Sequence, residues 1–348
     1  MIDILKDILP YISGLYTLPW ILVGFFITIL VGKIIGREKI DKIMKKIGLV
    51  LLYFFIPLLV FRIFLDLFET TQVAFVIIVF SVIFLMYIIA YYYARYVARK
   101  TKLKSPKKDL FIKTMLTNQG RSSAFIGSAM MAYWPVEAGI MIALVGIALF
   151  AVIPYILSHM HKRESKKIEK ESTKALPWFL RIYPWYLIAF VLVAIALNLN
   201  TNITTADFGE LGILLKFYTA VTIPAALYYV GASIHPNDLK ISEIRKLIGI
   251  DKSNSQEDHW GWVRNIFLLT VIITPLIVAL IFSTLYFFQM IPIAWFAVIV
   301  INTFLPITST NMFLLPYGID KKSTAHSITW TTIICVPIVV LLIIVFGI

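Results

Sequence analysis

Along its length the 348-residue chain alternates long apolar runs with short charged ones. Most apolar runs are roughly 18–25 residues, the length a helix needs to cross about 30 Å of hydrocarbon. Ten spans are expected, at 16–33, 47–66, 73–95, 110–133, 137–158, 181–198, 210–233, 263–288, 292–316 and 323–347. The pattern predicts an all-α polytopic membrane protein.

The connections differ sharply in charge. KIIGREKIDKIMKK (33–46), RYVARKTKLKSPKK (95–108), HKRESKKIEKESTK (161–174), the 235–264 segment and DKK (320–322) hold nearly all the Lys and Arg. DLFETTQ (66–72), WPVE (134–137), NLNTNITTADFGE (198–210) and QMIP (289–292) hold none. Basic loops collect on the cytosolic side. The expectation is therefore a multi-pass protein of the cell membrane, with both termini outside and the basic loops in the cytoplasm. The opening MIDILKDILPYIS lacks a basic n-region and a small-residue cleavage site, so no signal peptide is expected.

Composition agrees with the pattern. The chain is 60% hydrophobic and 15% charged, with a mean hydropathy of +0.87, which excludes a soluble globular domain. The net charge of +13 sits in loops suited to anionic lipid headgroups. Those loops lack interleaved aromatic residues, so no nucleic-acid partner is expected. Cys335 is the sole cysteine, which rules out a disulfide or a Cys-based zinc site. His159 and His161 form a lone H-x-H, read as interfacial. No metal or other cofactor is expected, and without a phosphate-binding Gly loop neither is ATP-driven pumping.

An internal repeat is expected. An offset of 184 residues carries Asn118 to Asn302 and Tyr133 to Tyr317, and an offset of 183 carries Pro154 to Pro337. Pro57 in LLYFFIPLLVF and Pro224 in FYTAVTIPAALYYVGA hold matching places. This divides the chain into 1–160, a cytosolic linker at 161–177, and 178–348. Five spans per half is an odd number, so the halves enter the membrane in opposite directions. Inverted repeats of this sort mark secondary transporters, with sites near the midplane where helices break.

The fourth span, DLFIKTMLTNQGRSSAFIGSAMMAYW, carries Asn118, Gln119, Arg121, Ser122 and Ser123 at its centre. The ninth, IPIAWFAVIVINTFLPITSTNMFLLPYG, carries Asn302, Thr303, Thr308, Ser309, Thr310 and Asn311. Gly120 weakens the first helix and Pro306 removes a hydrogen bond from the second. Such breaks must line a protein-buried or water-filled cavity. The basic residues read as lying inside spans are Arg62, Arg121 and Lys216, and the first and last are close enough to the outer ends to snorkel. Arg121 is near the midplane, where burying a cation costs at least about 2.5–3.5 kcal/mol. No carboxylate is read deep in a span; Asp66, Glu137 and Glu210 lie at outer edges. Two readings of Arg121 stand: helix-end carbonyls or water satisfy it, or its missing anion is a substrate whose carboxylate fits the guanidinium fork.

These same segments resemble the auxin efflux carrier family, which includes plant PIN-type exporters and prokaryotic relatives. FFIPLLVFRIF (54–64) is similar to its second helix and PAALYYVGASI (224–234) to its seventh. NTFLPITSTNMFLLPYGID (302–320) is similar to its C-terminal signature, and NQGRSSAFIG (118–127) to its fourth-helix motif. The resemblance implies a scaffold of helices 1, 2, 6 and 7 and a transport domain of helices 3–5 and 8–10. It also implies broken helices 4 and 9 crossing at the substrate site, a homodimer, and an elevator-like motion. Gln119 and Gly120 stand where the family has a proline and a second Asn, and Arg121 where plant members have a small hydroxyl residue. Auxin is therefore not implied as the substrate.

The expected activity is secondary transport of small organic anions, uncoupled or driven by the membrane potential. Asn118, Gln119, Gly120, Arg121, Ser122, Asn302, Pro306, Thr308, Ser309 and Asn311 are the expected substrate site. Pro57, Pro224, Gly120 and Pro306 are helix breaks, and His326 is a candidate for ion coupling. The alternatives are a sodium- or proton-coupled symporter of the bile-acid transporter type and a non-transporting receptor. An intramembrane enzyme is not expected, because Ser122, Ser123 and His326 have no partner acid or base within the spans.

Overall fold

The computed structural model describes residues 2–12, 17, 19–67, 72–122, 130, 133–165, 178–234, 240–250 and 259–347. Among them the chain is almost wholly helical, and the one isolated β-bridge joins Arg121 to Ile307. Among the described residues, six helical stretches are long and apolar enough to cross a membrane: Glu38–Leu67, Val73–Lys100, Pro135–Met160, Glu210–Ala232, His259–Phe287 and Lys321–Gly347. Trp20–Ile35, Trp185–Thr201 and Ile293–Phe304 are apolar but shorter.

Helix packing falls into two groups. Trp20–Ile35 lies along Glu210–Ser233, and Ile56–Leu67 packs on both Trp178–Thr201 and Glu210–Ser233. In the other group Val73–Lys100 packs on Lys107–Thr117 and Pro135–Ile147, His259–Phe267 on Lys321–Gly347, and Thr274–Phe287 on Ile293–Phe304. Contacts of Pro135–Ile147 with Ile56–Leu67 join the groups. Pro135–Ile147 is apolar on all sides and buries every residue from Ala138 to Gly146, as a central helix must. Val73–Lys100 instead turns Ile77, Phe80, Phe84 and Tyr92 outward, a face suited to lipid.

The contact of Trp20–Ile35 with Glu210–Ser233 is made backbone to backbone. A Cβ on Gly24 would stand 2.2 Å from the carbonyl oxygen of Tyr228, and one on Gly231 would stand 1.9 Å from that of Ile21. Neither oxygen can move without its helix, so only glycine fits at these two positions.

Widened π turns occur at Leu51–Phe55, Ala148–Val152 and Leu268–Ile273. Such turns disturb the regular hydrogen-bond ladder and are often found beside functional sites. Pro57 and Pro224, expected as helix breaks, interrupt neither helix: Pro57 lies just after the first π turn within the stretch Glu38–Leu67, and Pro224 lies inside Glu210–Ser233.

Several boundaries differ from the hydropathy reading. The basic connection at 33–46 is mostly the helix Arg37–Val50, which runs through the π turn into the second span. Arg, Glu and Lys are good helix formers, so polarity alone does not end a helix. The linker at 161–177 opens as a continuation of Ile153–Ser165, and residues 166–177 lie outside the described residues. So do 123–129, which include Ser123 and much of the second half of the span expected at 110–133.

Candidate functional site

Two helices stop inside the molecule. Lys107–Thr117 ends at Asn118, and Ile293–Phe304 ends at Leu305. Leu305 precedes Pro306 and has φ −61° and ψ 146°, the extended geometry that proline imposes on its predecessor. At Gly120 the neighbours are close: a Cβ there would stand 2.6 Å from Leu149 Cδ1 and 2.9 Å from Asn311 Oδ1, so these side-chain ends would have to shift to admit one.

The two extended segments then pair. The N–H of Ser122 donates to the carbonyl of Pro306 at 2.9 Å, and that of Thr308 donates to the carbonyl of Gly120 at 3.0 Å. Arg121 and Ile307 face each other between these bonds. The N–H of Ile307 turns away and donates to Thr331 Oγ1 at 3.1 Å. The bridge thus satisfies backbone groups that the interrupted helices leave open.

Arg121 is 2% exposed. Its Nη2 donates to the carbonyl of Thr270 at 2.9 Å and its Nη1 to that of Leu305 at 3.5 Å. Thr270 belongs to the π turn Leu268–Ile273. The Nε of Arg121 has no hydrogen-bond partner among the described residues, and no carboxylate there pairs with this guanidinium. Carbonyl dipoles solvate the cation in part, and among the described residues no opposite charge balances it.

The expected site residues fall into two cavities rather than one. The larger, about 640 Å³ with its open mouth included, lies between Ile56–Leu67, Glu210–Ser233 and the bridge. Ser122, Thr308 and Thr310 supply its hydroxyls, while Leu59, Ile223 and Phe150 are among its apolar walls. Thr308 Oγ1 and Thr310 Oγ1 are 2.8 Å apart and share a hydrogen bond. The smaller, about 240 Å³ with the open space at its mouth included, is lined by Gln119, Arg121 and Asn302, with Tyr87, Val145 and Ala148.

Arg121 and Ser122 are sequence neighbours on opposite sides because successive side chains of extended backbone point opposite ways. That alternation follows once the break is known to be extended, and it is the signal a helical reading of 118–122 misses.

Of the remaining expected residues, Asn118, Gly120, Pro306, Asn311 and His326 are not among those lining either cavity. Asn118 Nδ2 donates to Thr114 O at 2.8 Å and to Thr324 Oγ1 at 3.2 Å, tying the broken helix to Lys321–Gly347. Asn311 is fully buried, and both its amide atoms lack partners among the described residues. Pro306 contributes its carbonyl to the bridge. The side chain of Ser309 lies outside the described residues. His326 sits near the start of Lys321–Gly347, where Nδ1 is 2.9 Å from Lys322 O and the ring packs edge-on against Trp260.

Two basic residues differ from the sequence reading. Arg62 does not reach outward alone: its Nε pairs with Asp66 at 3.4 Å and its Nη1 donates to Thr219 Oγ1 at 2.7 Å. Lys113 is a further basic residue inside the fourth span, 3% exposed, with Nζ donating to the carbonyl of Tyr317 at 3.3 Å. Thr270, Tyr87 and Thr331 were not expected at the site, since each reaches it from a helix distant in sequence.

No protein-family model and no curated protein matches this chain.

Proposed function

We propose that the chain is a secondary transporter of small organic anions, of the auxin efflux carrier type, with ten membrane spans in two inverted halves. The observation that carries this reading is Arg121. It is a buried cation without a carboxylate partner among the described residues, and it sits on the bridge between two interrupted helices. An uncompensated charge in hydrocarbon is costly and is kept where it serves a substrate or ion path. The larger cavity, with hydroxyls at the bridge and apolar walls beyond, suits an anion whose charged end lies at Ser122, Thr308 and Thr310. Arg121 draws that charge from the other side of the bridge.

The two packing groups support a moving-domain mechanism. One holds Trp20–Ile35, Ile56–Leu67, Trp178–Thr201 and Glu210–Ser233; the other carries both interrupted helices, and the larger cavity lies between them. With the cell interior negative, exporting one net negative charge gains about 2.3 kcal/mol per 100 mV, so export needs no coupling ion. In this reading the protein works as a homodimer in the cell membrane, with basic loops in the cytoplasm.

The test is flux in proteoliposomes loaded with labelled mono- and dicarboxylates under an imposed potential. Saturable, potential-dependent efflux without a sodium gradient is expected. Flux that requires sodium would favour a symporter, and absence of flux for every organic anion would leave a receptor.

A further inference from the structure

The smaller cavity holds a concentration of unmatched polar atoms. Arg121 Nε, both amide atoms of Gln119 and both amide atoms of Asn302 are buried without hydrogen-bond partners among the described residues. All three residues are at most 2% exposed, and all three line this one cavity. Leaving a single buried polar group unpaired costs about 1–3 kcal/mol, so so many in one place calls for a ligand. Water would satisfy the donors but would leave the guanidinium charge standing. A cation would meet Arg121. Three of the five atoms are donors, Arg121 Nε, Gln119 Nε2 and Asn302 Nδ2. A monovalent anion satisfies these three and the charge together and leaves the two amide oxygens to turn away from it.

Size narrows the class. The cavity leaves room for about one water-sized particle, which excludes an organic acid and admits a monatomic ion. Apart from Tyr87, the remaining wall is apolar, made of Val145, Ala148, Ile83 and Met86, which favours an ion that sheds its hydration readily.

We propose that the cavity walled by Arg121, Gln119 and Asn302 binds one small monovalent anion of halide size. Arg121 Nε–H and the amide N–H groups of Gln119 and Asn302 are its ligands. The anion lies across the bridge from the larger cavity and neutralises the charge that draws an organic anion there, so the two ligands oppose each other. Only that antagonism rests on the transport reading; the halide site does not.

The test uses the purified full chain in lipid nanodiscs, with sodium sulfate replaced stepwise by sodium bromide at constant ionic strength. Sulfate stabilises proteins non-specifically, so the general salt effect of the exchange lowers the melting temperature. A saturable rise with bromide is expected instead, and likewise with chloride. Gln119→Glu places a carboxylate in the same cavity and is expected to abolish the bromide response. Asn302→Ser removes one donor with little change in bulk and is expected to raise the half-saturating bromide concentration by about tenfold; it also serves if Gln119→Glu does not fold. No saturable response in the parent, or the same half-saturation in the variants, overturns the site. Organic-anion flux is measured separately, with bromide expected to slow it. Intact bromide binding in a protein that moves no organic anion would sink the transport reading and leave the halide site standing.

Discussion

Arg121 donates through Nη2 to the carbonyl oxygen of Thr270 at 2.9 Å, across 149 residues of sequence. The acceptor is part of the π turn Leu268–Ile273. The guanidinium is therefore held from two sides, by this turn and by Leu305, and its planar fork cannot be replaced by a point charge. Arg121→Lys keeps the charge but reaches one carbonyl at most, while Arg121→Gln removes the charge. In the flux assay Arg121→Gln is expected to slow efflux by about 30-fold or more, as losing a charge partner of roughly 2 kcal/mol does. Arg121→Lys should fall between that variant and the parent. Equal rates in all three would remove Arg121 from the transport reading.

The pair Arg62–Asp66 is expected to behave as a unit. Asp66 also accepts from the N–H and the hydroxyl of Thr205, each at 2.8 Å, which fastens Ile56–Leu67 to the turn before Glu210–Ser233. Asp66→Ala leaves both partners unsatisfied and should cost about 1–3 kcal/mol, held down by partial exposure of the pair. The double variant Arg62→Met/Asp66→Leu should cost less than the sum of its singles in a thermal double-mutant cycle. Strict additivity would show that the contact contributes nothing.

Two glycines should respond with opposite sign. Gly231→Val forces a side chain into the backbone of Ile21 and should destabilise by at least about 1–3 kcal/mol. At Gly261, inside the helix His259–Phe267, nothing lies within 4 Å of an added Cβ. There Gly261→Ala should raise stability by about 0.5–1 kcal/mol through helix propensity. Melting temperatures of the two variants against the parent check both.

Asp207 gives a pH signature outside the membrane-spanning helices. Its carboxylate accepts from the Thr204 N–H at 2.7 Å and from the Thr204 hydroxyl at 3.0 Å. The backbone bond first, and then the hydroxyl, hold its pKa below the ordinary aspartate value. A depressed folded pKa contributes stability above the unfolded value and loses it as pH falls through the folded one. The melting-temperature gap between parent and Asp207→Ala should therefore stay constant from pH 7 to about pH 4 and narrow below it. A gap that widens on acidification would contradict the assigned bonds.

The break at Pro306 was legible because proline acts on its own backbone and sets Leu305 extended, whereas Pro57 and Pro224, read as breaks by the same rule, lie within continuous helical stretches. Arg121 stood out by charge alone. Its surroundings did not, because Thr270 and Tyr87 arrive from other helices. The division of Gln119 and Arg121 from Ser122 was hidden by reading helical periodicity through a segment that is extended. Arg62 was misjudged for a similar reason. Asp66, one turn on, was in view, whereas Thr219 and Thr205 come from the far half of the chain. The helix Arg37–Val50 was passed over because hydropathy registers oiliness and is blind to helix-forming charged residues.

Where Gly24 meets Tyr228 and Gly231 meets Ile21, main chain rests on main chain with no side chain between. Flexible side chains act as bearings: they change rotamer and let surfaces slide. A joint without them has no such play, so those two helices form a fixed post. Whatever shifts during the protein's working cycle must slip elsewhere, and the softer seam is the one cushioned by Leu59, Ile223 and Phe150.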